Sequence, residues 1–122
     1  TGPYVQYTHA RACSILEKEE FNEDFLKIID YSLLCYEFSF ELLKSLSQYP
    51  DKIVDASNKY EPFIITRHLV NVCQAFNKFY DENNIKNSET DLKNARLALV
   101  YATKTIIANG LYLLGINAPE KM

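Results

Sequence analysis

Tryptophan is absent from this 122-residue sequence, methionine occurs once, and glycine only three times. So few glycines leave no G-x-G-x-x-G, G-x-x-x-x-G-K-[ST] or G-x-S-x-G motif, which argues against a phosphate-cradling loop and a nucleophile elbow. Three cysteines, Cys13, Cys35 and Cys73, stand far apart with no C-x-x-C pair. An odd, scattered set disfavours a disulfide framework and a zinc site, and fits reduced thiols packed as small apolar groups in a cytoplasmic protein. The two histidines, His9 and His68, form no H-x-x-x-H, H-E-x-x-H or Cys/His pattern, so no metal is expected. No uncharged apolar run reaches the length of about 18 residues that a membrane span needs, and no basic-then-apolar leader opens the chain. The initiator Met is missing as well, which suggests a piece excised from a longer protein. Positive charge is also short: the net charge is -3 and the pI about 5.4. That counts against a surface that grips nucleic acid all over, while leaving room for a local site.

What is present is a core and an excess of flat rings. Hydrophobic residues make up 48% of the chain, and its length fits residues 1–122 as one domain with a core that needs no staples. Nine Tyr and seven Phe serve cores, interfaces and base stacking alike. Pro3 suits a first helical position, and Val5, His9, Ala12 and Leu16 then mark one face of a helix to about Glu20. The acidic stretch Glu17 to Asp24 reads as a connection. Leu34, Phe38, Leu42 and Leu46 predict a helix over 32–48, ended by Tyr49-Pro50. A short helix over 51–59 with Ile53, Val54 and Ala56 inward comes next. Ile65, Leu69, Val72, Phe76 and Tyr80 predict a long one from Glu61-Pro62 to about Asp81. After a polar loop, Ser88 or Thr90 caps a last helix with the stripe Leu92, Ala95, Leu99, Ala102 and Ile106. Gly110 is a weak point or a site of close packing, Gly115 the C-terminal stop, and 116–122 a tail. The fold class is therefore all-α, a bundle of about five helices with no convincing strand.

Chemistry is sparse. Glu17, Glu19, Glu20, Glu23 and Asp24 read as a solvated face rather than an acid/base pair, so the chain itself is not expected to be catalytic. His9 falls on the apolar face of the first helix, where a packed or hydrogen-bonded histidine is the ordinary case. The distinctive set is Tyr4, Tyr7 and Arg11. At ~100° per residue they lie roughly 100° to 160° around the helix from Val5, off the core stripe. Two readings stand side by side. The rings pack on a neighbouring helix with Arg11 tied to a carboxylate, or they form a platform where bases stack and a guanidinium meets bases or phosphate. Asn71, Asn77, Lys78 and Tyr80 are placed to supplement such a platform.

Longer stretches carry a resemblance. Gly2-Pro3-Tyr4-Val5-Gln6-Tyr7-Thr8-His9-Ala10-Arg11 is similar to the GPYxQYxHxR signature that opens the C-terminal anticodon-binding domain of arginyl-tRNA synthetase. Glu61-Pro62, then His68 to Asn71 and Ala75 to Tyr80, resemble that domain's central helix. Ala95 to Val100 resembles the motif naming its helical superfamily, the DALR domain. Asn109 to Ile116 and Ala118 to Met122 resemble the closing NGLxLLGIxxPExM. Residues 21–36 match no such motif, and Lys121 stands where arginine is common, keeping charge but losing the planar fork.

The resemblance implies the tRNA-reading part of a class I ligase, without the HIGH-type and KMSKS-type motifs of its active site. The full enzyme would join arginine to its tRNA using ATP and magnesium; neither is expected in this piece. The implied partners are the anticodon loop of an arginine tRNA and the catalytic domain of the same chain, with no membrane and no DNA. The loop-contacting positions carried over are Tyr4, Tyr7, Arg11, Tyr80 and Met122: Tyr7 and Tyr80 stack, Arg11 orients the site, and backbone groups near Met122 meet a base edge. Arginine codons share G at the second position, so the base to be read is a middle C or a modified equivalent. Two other classes stay open: a helical docking module with no RNA specificity of its own, and an anticodon-binding domain for another amino acid.

Overall fold

The computed structural model describes residues 1–122. Five α-helices carry the fold: α1 (Gly2–Lys18), α2 (Glu37–Ser47), α3 (Tyr49–Lys59), α4 (Phe63–Glu82) and α5 (Thr90–Leu113). Between α1 and α2 lie two 3-10 segments, Glu23–Ile28 and Tyr31–Leu33, and there is no strand. α4 and α5 are the centre: α1 packs mainly on α5, while α2 and α3 pack on α4. One cluster of 22 buried residues draws on all five helices.

The expected stripes are inward where one face alone is covered. Val5, His9, Ala12 and Leu16 are buried on α1, as are Ile65, Leu69, Val72 and Phe76 on α4. α5 is different. Residues 95–100 are buried on every side, because α1, α2, α4 and a 3-10 turn surround them. A one-face stripe therefore describes it poorly. Gly110 proves to be a site of close packing: a Cβ there would lie 2.7 Å from a Leu69 methyl carbon.

Four local expectations are corrected. The second helix starts at Glu37, not Ser32, because the Asp30 carboxylate accepts from the Ser32 N–H and hydroxyl; such side-chain turns compete with helix formation. Leu34 is buried all the same. α3 begins at Tyr49, with Pro50 in its first turn, where the missing N–H costs nothing. Val54 points outward at 58% exposure, since α3 packs along Tyr49, Ile53 and Ala56, and Val54 sits about 100° from Ile53. The α5 N-cap is Glu89, with no side-chain bond; the Ser88 hydroxyl donates to the Ile85 carbonyl instead.

The C-terminal end of α5 determines where the tail goes. The Ile116 N–H bonds the Leu111 carbonyl at 2.9 Å and the Gly115 N–H the Tyr112 carbonyl at 3.0 Å. This is the Schellman pattern, and Gly115 meets its left-handed requirement with φ +74°. The turn sends residues 116–122 back over α1. There the Gln6 side-chain amide donates to the Asn117 carbonyl (2.9 Å). The His9 Nδ1–H donates to the Pro119 carbonyl (2.9 Å), which fixes the tautomer because a carbonyl only accepts. His9 is thus a buried hydrogen-bonding residue, and its partner is the tail.

Candidate functional site

The returning tail closes a groove of about 440 Å³ against the exposed side of α1, lined by Tyr7, Arg11, Ser14, Glu17, Lys121 and Met122 among others. Three of the five expected residues, Tyr7, Arg11 and Met122, meet in it. Tyr7 is 56% exposed and Met122 66%, and the Tyr7 side chain makes no hydrogen bond within the chain, so its ring is free to receive a flat group.

Arg11 is the organiser. Its guanidinium donates to Asn77 Oδ1 at 2.9 Å, faces the Asp81 carboxylate at 3.8 Å and lies 4.6 Å from the centre of the Tyr80 ring. Asn77 in turn donates through Nδ2 to the Tyr4 hydroxyl at 3.1 Å. The Tyr80 ring is near-parallel to Phe76 at 6.2 Å, which anchors it to the core. The packing reading of the off-core stripe therefore holds for two of its three residues. Tyr4 and Arg11 are tied to α4, and Arg11 does meet a carboxylate, while Tyr7 stays open.

Of the supplementary α4 residues, Asn77 and Tyr80 join this network. Lys78 does not: it lies over the Phe38 ring at 5.1 Å and pairs with Glu82 at 3.5 Å. Asn71 makes no contact with the set and is exposed. The pair Gln6 and His9, which seat the tail, has no signature of its own in helical periodicity; only the tail's return reveals what it does. Cys13, one turn beyond His9, is half-buried, and burial pushes its thiol above the usual range, so it remains a neutral thiol.

The charges lining the groove balance. Arg11 and Lys121 oppose Glu17 and Glu120 around the groove. No group of three or more His, Cys, Asp or Glu side chains is placed to hold a metal ion, and no helix is long and apolar enough to cross a membrane.

Known proteins share this sequence and fold. The model of the DALR anticodon binding domain family matches residues 5–122. The arginine–tRNA ligase of Halothermothrix orenii is 51% identical over 122 residues, covering all of this chain and 21% of that protein. The Clostridioides difficile arginine–tRNA ligase is 49% identical over the same shares. The solved Thermus thermophilus arginyl-tRNA synthetase superposes with a TM-score of 0.88 at 32% identity, over 100% of this chain and 21% of that one. Matched over nearly its whole length in sequence and fold, the chain belongs to the DALR anticodon-binding domain family.

Proposed function

We propose that this chain is the anticodon-reading part of an arginine–tRNA ligase, working in the cytoplasm beside a catalytic domain that lies outside the residues described. The observation that carries the reading is the groove itself: an exposed Tyr7 ring, an Arg11 fixed by α4, and a chain end folded back to close the far wall.

The chemistry follows from what a splayed loop base offers. Its face stacks on Tyr7, a sequence-tolerant contact worth about 1–3 kcal/mol. Discrimination then falls to the base edge. Cytosine presents an amino donor where uracil presents a carbonyl acceptor. An acceptor on the groove wall, either the Glu17 carboxylate or a backbone carbonyl near Met122, meets cytosine favourably and sets two lone pairs together with uracil. Arg11 is held from below by Asn77 and Tyr80, so it reaches the ligand with little left to order. Tyr4 supports this arrangement through Asn77. Tyr80 has one face covered by Arg11, so its role is shared between stacking and holding that guanidinium. The ATP and magnesium of the ligase reaction belong, in this reading, to the rest of the enzyme.

The test is titration of an arginine anticodon stem-loop at stated low salt against the wild-type chain, Tyr7→Ala and Tyr80→Ala. Loss of one stacked base weakens binding roughly 5- to 150-fold. If neither substitution changes the affinity, the stacking assignment is wrong. If no RNA binds at all, the docking-module alternative takes its place.

A further inference from the structure

A second and larger groove, about 780 Å³, lies between the end of α1 and the loop joining α4 to α5. Ile15 and Ile85 contribute its apolar surface, and Lys18, Tyr80, Asn84 and Lys86 line it as well. It adjoins the first groove through one pair of side chains. Arg11 lines the Tyr7 groove and Tyr80 lines this one, with the guanidinium 4.6 Å from the ring centre.

The charges around it are sorted. Each carboxylate at the groove already has a cation: Glu19 is paired with Lys93 at 2.8 Å, Asp81 with Arg11 at 3.8 Å and Glu82 with Lys78 at 3.5 Å. Lys18 and Lys86 have no carboxylate within 4.0 Å. Other surface lysines are unpaired too, so the weight rests on position. These two line the groove that Tyr80 shares, where the local acids are already engaged.

The loop that presents Lys86 is held from inside. Arg96 is buried at 7% exposure. It donates through Nη2 to Asn83 Oδ1 at 3.0 Å and through Nη1 to the Asn84 carbonyl at 3.4 Å, and the Tyr36 ring covers it at 5.0 Å. Asn83 Nδ2 donates to the Phe79 carbonyl at 2.9 Å, and Asn84 Oδ1 accepts from the Asn87 N–H at 3.1 Å. The planar fork of an arginine holds two such donors in a fixed geometry; an ammonium has donors but lacks that fork.

We infer that this groove receives the sugar-phosphate backbone of the nucleotide next to the base held against Tyr7. Lys18 and Lys86 are its phosphate contacts, and Arg96 is the positioning residue for the loop. The inference rests on the anticodon reading above. Lysine suits the task as a flexible point charge, and phosphate contacts set register without reading sequence. The Arg11–Tyr80 ridge then separates successive nucleotides, one on each side.

The experiment is a salt series on the 122-residue chain with two stem-loops, the arginine one and its middle-base variant. The proteins are wild type, Lys18→Ala/Lys86→Ala, Arg96→Lys, and Lys27→Ala/Lys44→Ala, whose residues line neither groove. The first double variant should bind both RNAs more weakly by the same factor, with a log–log salt slope shallower by about 1.4, as two single-strand phosphate contacts require. Arg96→Lys should weaken both RNAs equally while circular dichroism shows the helices retained; unchanged binding would overturn its positioning role. An unchanged slope in the Lys18/Lys86 variant, or an equal change in the Lys27/Lys44 control, would overturn the phosphate assignment. A wild-type chain that binds both stem-loops alike would defeat the anticodon reading instead, which keeps the two failures apart.

Discussion

Replacing Gly115 by alanine isolates the backbone's part in holding the chain end against α1. Gly115 sits at φ +74°, and a Cβ built on it meets nothing within 4 Å. The cost is therefore conformational alone, about 1–2 kcal/mol for an L-residue in the left-handed region. The tail beyond it is held by two long-range hydrogen bonds, Gln6 to the Asn117 carbonyl and His9 to the Pro119 carbonyl. At about 1 kcal/mol each, they favour the docked tail roughly 30-fold. The strain is comparable to that hold. If it is relieved by releasing the tail, the docking preference falls to between about 6-fold and about 1:1, and the docked fraction from about 97% to between about 85% and about 50%. Apparent RNA affinity falls by no more than about twofold, since it scales with the competent fraction. The sensitive assay is amide exchange at Ile116, whose N–H is bonded to the Leu111 carbonyl. Its protection should drop roughly 5- to 15-fold with the helices intact. Unchanged protection would refute the claim that the tail is held this marginally.

Three further perturbations probe the core and its titrating groups. Gly110→Ala gains about 1 kcal/mol of helix propensity but drives a methyl to within 2.7 Å of the buried Leu69 side chain, an overpacking that costs about 1–3 kcal/mol. The net loss of about 0–2 kcal/mol should lower the midpoint of thermal unfolding by up to about 10 °C, and a rise would mean that the core yields more easily than this packing implies. Burial, with the Lys52 charge second, holds the pKa of His68 below 6.5. The unfolded chain then binds the proton that the folded one resists, so stability is full above about pH 6.5 and declines as the pH falls through it. His68→Phe keeps a ring beside Tyr49 and should flatten the difference in midpoint between pH 7.5 and 5.5; equal slopes in both proteins would contradict this. At pH 8, a thiol reagent should label the exposed Cys35 at once. It should reach Cys73, fully buried and with its pKa pushed up to about 11, only as the fold opens; rapid labelling of Cys73 in the native chain would count against the core described.

The fold was legible where local signals act alone. α1 and α4 each bury one face, so spacing in the sequence and burial in the structure coincide. The start of α2 was not, because the Asp30 turn that delays it is decided by hydrogen bonds over two residues rather than by apolar spacing. α5 escaped a stripe description because its neighbours surround it on every side. The site divides in the same way. Periodicity placed Tyr4, Tyr7 and Arg11 off the core but left open whether they pack or bind, and Met122 entered only through family likeness. The link between them is a tail reversed by Gly115 and pinned by Gln6 and His9 across more than a hundred residues, a contact no local pattern encodes. The groove beside Tyr80 was hidden for a similar reason: the loop that walls it depends on Arg96, 12 and 13 residues away, buried and bonding to Asn84 and Asn83.

The most direct measurement is the affinity of the chain, at one stated low salt, for two arginine anticodon stem-loops that differ only in the middle base, C against U. The groove of Tyr7, Arg11 and Met122 predicts preference for C by roughly 5- to 150-fold, the range for one well-placed base-edge pairing. Equal affinity for the two would contradict the claim that this groove reads the anticodon.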